Sequence, residues 1–185
     1  MDKKFTTRDL TLIAVGAALI ALCSWISVPM TIPFTMQTFA VCLVSALFGA
    51  RRGMWTVACY LLLGAVGAPV FAGFTGGVGI LLGSTGGYLV GFLFTALIVG
   101  LAVDKLGRSL PVLIGSMAVG ILVCYAFGTV WFMLVYARRT GFISLGTALS
   151  WCVLPYLLPD AVKIALASAL VYRLYPLVNR EVRTA

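Results

Sequence analysis

The 185-residue chain contains no histidine, and its Asp and Glu residues number five against thirteen Lys and Arg. The missing imidazole removes the commonest general base, metal ligand and proton relay. One acid, Asp160, falls inside a long apolar stretch. A protease with two carboxylates inside the membrane is therefore excluded.

Neither a disulfide framework nor a metal site is indicated by the cysteines. They number five, lie in apolar runs and show no C-x-x-C spacing, so we interpret them as small core residues. Residues 76–83, GGVGILLG, have the look of a phosphate loop but no Lys-Ser or Lys-Thr follows. A Ser-Lys nucleophile pair is disfavoured because Ser150 and Ser168 are not one helical turn from Lys163.

Charge is scarce overall, at 10% of residues, while 62% are hydrophobic and the mean hydropathy is +1.13. So little polar surface predicts an all-α integral membrane protein forming a single membrane domain over residues 1–185. The apolar runs predict six transmembrane helices at about 10–28, 36–49, 54–68, 86–103, 111–136 and 149–173. The second and third are predicted to form a hairpin at the turn Ala50-Arg51-Arg52-Gly53.

The net charge of +8 raises the question of nucleic acid, but the basic residues cluster at the ends of the predicted spans. With a cytoplasmic N-terminus, ten of them face the cytoplasm and two, Arg138 and Arg139, face outward. This asymmetry satisfies the positive-inside rule, so both termini are predicted to be cytoplasmic. The ten are Lys3, Lys4, Arg8, Arg51, Arg52, Lys105, Arg108, Arg173, Arg180 and Arg183.

Two predicted outer segments, residues 29–36 and 69–85, carry no charge, and the second is rich in glycine. A solvent-exposed loop is normally polar, so we expect both segments to fold back and cap a ligand site. The alternative is a loop lying on the lipid surface.

Asp160 and Lys163 are the candidate centre of that site. Each charge costs about 2.5 to 3.5 kcal/mol at the bilayer centre, and three residues apart they share one helix face. Pro155 and Pro159 interrupt the helix before them. Asp160 is expected about 16 Å from the outer end of its span. The pair either binds a polar ligand or serves only as an internal ion pair that fixes helix packing.

Further candidates lie at the outer level of the predicted helices. Gln37 can donate and accept hydrogen bonds, and Tyr88 combines an apolar ring with a hydroxyl. Aromatic residues at the same level either wall an apolar ligand or simply pack; they are Trp25, Phe34, Phe71 and Phe74.

Three blocks of the sequence resemble the BioY family, the biotin-specific substrate-binding S components of energy-coupling factor (ECF) transporters. They are PFTMQTFAV at 33–41, GAVGAPVFAGFTGGVGILLGSTGGYLVGF at 64–92 and LPDAVKIALA at 158–167. The resemblance implies a non-enzymatic six-helix protein of the bacterial cell membrane that captures biotin as a transported ligand from outside. It also implies a coupling transmembrane subunit and two cytoplasmic ATPase subunits as partners.

The family's acid and lysine correspond to Asp160 and Lys163, and its binding loops to residues 33–37 and 71–88. The resemblance thereby implies that Gln37, Tyr88, Phe34, Phe74 and Gly76 belong to the site. Ser84 departs from the proline expected in the block that reads LLGPTGGY in relatives.

The small residues Ala14 and Ala18 form a stripe on the first helix that allows close helix approach. The resemblance implies that this stripe contacts the coupling subunit, while internal packing is the alternative. Other functions stay open from the sequence: an S component for another vitamin, a self-sufficient proton-linked secondary carrier and a purely structural membrane protein.

Overall fold

The computed structural model describes residues 5–183, without the side chains of residues 139 and 177–183. Within these residues the protein is helical, apart from a two-stranded ribbon, a 3-10 turn and connecting loops, which confirms the predicted all-α class. The elements are α1 (Thr7–Trp25), β1 (Ser27–Val28), β2 (Phe34–Thr35), α2 (Gln37–Ala65), the 3-10 turn Ala72–Phe74, α3 (Val78–Leu81), α4 (Gly86–Leu106), α5 (Leu110–Arg139), α6 (Leu145–Cys152) and α7 (Leu154–Arg183).

Four stretches of the described chain are long and apolar enough to cross a bilayer: Thr7–Trp25, Gly86–Leu106, Leu110–Arg138 and Leu154–Pro176. The largest fully buried side chains, among them Tyr60 of α2 and Phe71 of the loop that follows it, belong to a single hydrophobic core. Many large apolar side chains on the outer faces are exposed, as expected for a surface that contacts lipid.

Helix α2 is a hairpin rather than a straight rod. Gly49, with φ of +79° and ψ of 179°, interrupts it, and this backbone conformation is open almost only to glycine. Its two halves run antiparallel, because Gln37 Nε2 donates to Tyr60 Oη and a Cβ on Gly53 would lie 3.0 Å from the Ser45 Cα. The halves correspond to the predicted segments 36–49 and 54–68, but the chain reverses at Gly49, just before the predicted turn.

Two charged side chains from the end of α4 and the loop after it stabilise this reversal. Asp104 Oδ2 accepts a hydrogen bond from the Ala50 backbone N–H at 2.9 Å, and Arg108 Nε donates to the Ala46 carbonyl at 2.8 Å. A break inside a helix leaves such backbone groups without partners, so their capping keeps the tight turn stable.

The same end of the molecule contains the start of α1, where Asp9 Oδ1 lies 2.6 Å from Arg52 Nε. Several of the basic residues predicted to be cytoplasmic therefore lie close together. Lys3 and Lys4 lie outside the described residues, as do the side chains of Arg180 and Arg183.

The predicted sixth span, 149–173, is divided into α6 and α7 at Val153 (φ −126°, ψ −55°). Pro155 follows in the first turn of α7, a position that proline tolerates because its missing N–H would have no partner there. Helix α7 therefore begins six residues, or about 1.7 turns, before Asp160, whose side chain contacts α2 and α5.

Helix α1 buries one small-residue face and exposes the other. Ala17 and Ala21 are buried against the rest of the protein, whereas Ala14 and Ala18 are exposed. The stripe formed by Ala14 and Ala18 therefore makes no part of the core of this chain.

Candidate functional site

The centre of the candidate site is an ion pair inside the helix bundle. Lys163 Nζ lies 2.7 Å from Asp160 Oδ1, and each residue is 4% exposed. The pair spans one turn of α7, as the spacing of three residues predicts. Both side chains line the same internal cavity.

Asp160 is further held by residues from two other helices. Thr38 of α2 donates to Oδ1 at 3.0 Å, and Tyr125 of α5 donates to Oδ2. An ionised carboxylate has about four acceptor positions, and three are filled by Lys163, Thr38 and Tyr125. Asp160 therefore retains room to accept from one further donor.

Each of the three N–H groups of the Lys163 ammonium donates a hydrogen bond to the protein. Besides Asp160, its ammonium donates to the Thr35 carbonyl at 2.7 Å and to Thr38 Oγ1 at 3.1 Å. An ammonium has three donors, so all of them are engaged. It also lies 4.1 Å from the centroid of the Phe34 ring, a favourable cation–π contact.

The cavity has a volume of about 280 Å³, near the lower end of the range of small-molecule pockets, about 300–1,000 Å³. Its wall is mostly apolar, with polar groups at a few points, which is typical of a site that binds a compact, largely apolar ligand. The lining residues are Ile32, Pro33, Thr35, Gln37, Thr38, Val41, Phe71, Ala72, Thr75, Ile80, Thr85, Tyr88, Leu89, Phe92, Thr95, Ile121, Cys124, Tyr125, Cys152, Tyr156, Asp160 and Lys163.

Residues of the segment 29–36 line the cavity and are bound by side chains of α7. The ribbon of β1 and β2, in which Ser27 lies opposite Thr35, joins the two sides of this segment. Tyr156 donates its hydroxyl proton to the Ile32 carbonyl, and Lys163 binds the Thr35 carbonyl three residues further on. The ion pair and this segment are thus directly connected.

The glycine-rich segment 69–85 is also folded onto the protein. The Val70 carbonyl accepts from Ser24 at 2.5 Å and from Tyr60 at 3.1 Å. Phe71 is 1% exposed, and its ring fills the space where a side chain on Gly64 would stand. These contacts favour the expected folded segment over a loop on the lipid surface.

Comparison with known proteins gives consistent results. The BioY family model matches residues 1–180 of the chain. The chain is 37% identical over 168 residues to the biotin transporter BioY of Thermotoga maritima, covering 90% of this chain and 95% of that protein. It is 38% identical over 168 residues to the probable biotin transporter BioY of Pyrococcus horikoshii, covering 90% and 96%.

The chain belongs to the BioY family. A solved structure, the 2.1 Å crystal structure of the S-component for biotin from an ECF-type ABC transporter, superposes with a TM-score of 0.80 at 26% identity. The match covers 92% of this chain and 94% of that one. The BioY family comprises transporter components, so the chain is not an enzyme.

Four of the predicted site residues of this BioY chain line the cavity: Asp160, Lys163, Gln37 and Tyr88. The side-chain amide of Gln37 donates to Tyr60 and accepts from Thr35 Oγ1 at 3.1 Å. The Tyr88 hydroxyl is 3.0 Å from Thr129 Oγ1. Both side chains are therefore held in place by hydrogen bonds rather than left mobile.

The other three predicted residues occupy different positions. Phe34 contacts the Lys163 ammonium. Phe74 is 63% exposed and stacks on Trp25 with ring centroids 4.9 Å apart. Gly76 packs closely on the Ala68 carbonyl, since a Cβ there would lie 2.3 Å from that oxygen. Phe34, Phe74 and Gly76 are not among the residues that line the cavity.

Sequence reasoning missed Thr38, Tyr125 and Tyr156. Thr38 directly follows the predicted residue Gln37. Its hydroxyl group, at the start of an apolar helix, was the feature of the sequence that could have identified it. Tyr125 lies in the middle of an apolar helix, where the sequence alone does not show which face meets Asp160.

The hydrogen-bonded ion pair predicts how the free energy of unfolding changes when one or both charges are removed. Lys163→Met leaves the Asp160 carboxylate buried without its cation, a change that typically costs about 3–5 kcal/mol. Asp160→Asn combined with Lys163→Met removes both charges and is expected to recover much of that loss. Thermal unfolding of the purified, ligand-free variants in detergent measures the difference. A double variant no more stable than Lys163→Met alone would contradict a mutually compensating ion pair.

Proposed function

We propose that the chain is the biotin-binding S component of an ECF-type vitamin importer and captures biotin at the outer face of the membrane. The observation that carries the proposal is the Asp160–Lys163 pair, buried on the wall of a cavity of about 280 Å³. The names of the relatives, biotin transporters and an S-component for biotin, support the same ligand.

The chemistry of the pair suits the ureido head of biotin. That ring offers two N–H donors and one strongly accepting carbonyl, so a carboxylate and an ammonium side by side complement it. Asp160 accepts one N–H without any rearrangement. Lys163 reaches the carbonyl by giving up its longest bond, the one to Thr38 Oγ1 at 3.1 Å. Such charge-assisted bonds are about twice as strong as neutral ones.

The apolar lining receives the rest of the ligand. The fused ring of biotin lies against side chains such as Val41, Leu89 and Phe92. Gln37 and Tyr88 contribute polar groups to the wall, and the Phe34 ring contacts the Lys163 ammonium. Phe74 and Gly76 act on the glycine-rich segment, by stacking on Trp25 and by close backbone packing.

The two outer segments, 29–36 and 69–85, cap the ligand in this proposal. Residues of both segments line the cavity and are held by side chains of α1, α2 and α7. The capping segments lie at the opposite end of the molecule from the basic turn at Gly49. Entry from the outer face therefore agrees with the positive-inside rule.

The full topology proposed is six membrane crossings with both termini cytoplasmic, in a plasma membrane. The two halves of the α2 hairpin supply the second and third crossings, although Arg51 and Arg52 interrupt its apolar sequence at the turn. The remaining crossings are α1, α4, α5 and α7.

The proposed partners are biotin, a coupling transmembrane subunit and two cytoplasmic ATPase subunits. The exposure of Ala14 and Ala18 supports a role for this stripe in contacting the coupling subunit, because small side chains allow close helix approach in lipid. Their neighbours Ala17 and Ala21 already serve internal packing.

Biotin binding tests the proposed site. Asp160→Asn or Lys163→Ala is expected to lower the affinity for biotin at least tenfold, about 1.4 kcal/mol, since either change removes one charge-assisted bond. Isothermal titration calorimetry of the purified variants measures the effect.

Gly115→Ala is the matched control, because an added Cβ there meets no atom within 4 Å and the residue is remote from the cavity. Unchanged affinity in a folded Asp160→Asn variant would refute the assignment. Uptake by the chain alone, driven by a proton gradient without any ATPase, would instead favour a secondary carrier.

The docking stripe gives a second prediction. Ala14→Trp combined with Ala18→Trp is expected to leave biotin binding intact while assembly with the coupling subunit and uptake are lost, because the bulky rings prevent close approach. Pull-down of the complex and biotin uptake in cells provide the readouts. Leu122→Trp, at a position of α5 that is 57% exposed, is the control. Normal assembly of the double tryptophan variant would rule this surface out.

A further inference from the structure

The wall of the cavity has a part that carries acidic and basic side chains, here called the charged end, and a part without them, here called the neutral end. Among the described lining residues, the Asp and Lys side chains are those of Asp160 and Lys163, both on α7 beside the start of α2. The glycine-rich segment 69–85 contributes Phe71, Ala72, Thr75, Ile80 and Thr85, which are all neutral. A ligand that reaches from the pair to this segment therefore passes from a charged end to an uncharged one.

The charged end is poorly suited to an anion. The Asp160 carboxylate lies 2.7 Å from the Lys163 ammonium, so the pair has no net charge. A ligand carboxylate placed there would be attracted by one member and repelled by the other. Burying an anion without net compensation is costly, whereas a neutral urea bonds to both members.

The carboxylate on the tail of the ligand is thus left at the neutral end, which is formed by segment 69–85. Thr75 is exposed there and Ile80 and Thr85 are half-buried, so water can solvate a charged tail and its charge is not fully buried. Hydroxyl groups donate hydrogen bonds to an acid, an ester or an amide alike. The neutral end of the cavity therefore has no group that would bind a charged tail much more tightly than an uncharged one.

We infer that the site recognises the cyclic urea head and that its affinity does not depend on the charge of the tail. Its ligands then include neutral esters and amides of biotin as well as the free acid. This inference rests on the proposed function and specifies its substrate class. The site would then bind biotin whose carboxyl group is already conjugated through a small neutral link.

Competition binding on the full purified chain tests the inference. Labelled biotin is displaced by unlabelled biotin, biotin methyl ester and biotinamide. Dissociation constants of the ester and the amide within tenfold of that of biotin are expected. Weaker binding of both by more than tenfold overturns the inference, because the tail charge would then be recognised. Absence of binding by biotin itself refutes the proposed function instead, and the inference with it.

A charge-insertion variant tests where the tail lies. Thr85 does not cap α4 with its side chain, so Thr85→Lys places a cation at the neutral end without removing a capping bond. This variant is expected to prefer biotin over the methyl ester at least tenfold more than the unaltered chain does. Thr85→Met, of similar length and neutral, is the control and should show no new preference. Equal binding of acid and ester by Thr85→Lys would contradict a tail placed beside segment 69–85.

Discussion

The buried pair of Asp160 and Lys163 is the interaction on which the rest of the site depends. Two opposite charges inside an apolar bundle are stable only when their hydrogen bonds are met, and here the donors and acceptors come from the ribbon of β1 and β2, from α2 and from α5. The same bonds that neutralise the pair therefore also fix the cavity wall. Because one acceptor position of Asp160 stays open, the network is complete enough to be stable and incomplete enough to bind a donor.

The fold serves this network by bringing distant segments to α7. The reversal at Gly49 folds α2 into a hairpin, so that its first half delivers Thr38 to the pair while its second half delivers Tyr60 to the base of the glycine-rich segment. The break at Val153 starts α7 afresh close to the loop between β1 and β2, where Tyr156 binds the Ile32 carbonyl. Each bend of the backbone thus has a consequence for the cavity.

The sequence predicted the all-α membrane fold because apolar runs of spanning length are a strong signal. It also predicted that Asp160 and Lys163 meet, since residues three apart share a helix face. The residues of other helices that bind the pair could not be predicted from the sequence. Helix α5 is apolar on all sides, so nothing distinguished Tyr125 from its neighbours, and the Thr35 carbonyl that Lys163 binds is a backbone group present in every residue. The exact reversal at Gly49 likewise depends on Asp104, which is remote in sequence.

A crystal structure of the chain with bound biotin is the decisive measurement. We expect a ureido N–H within about 2.7–2.9 Å of an Asp160 carboxylate oxygen and the ureido carbonyl on Lys163 Nζ, with the tail toward residues 69–85. A complex in which both side chains keep only their protein partners, or in which the biotin carboxylate binds Lys163, would contradict this expectation.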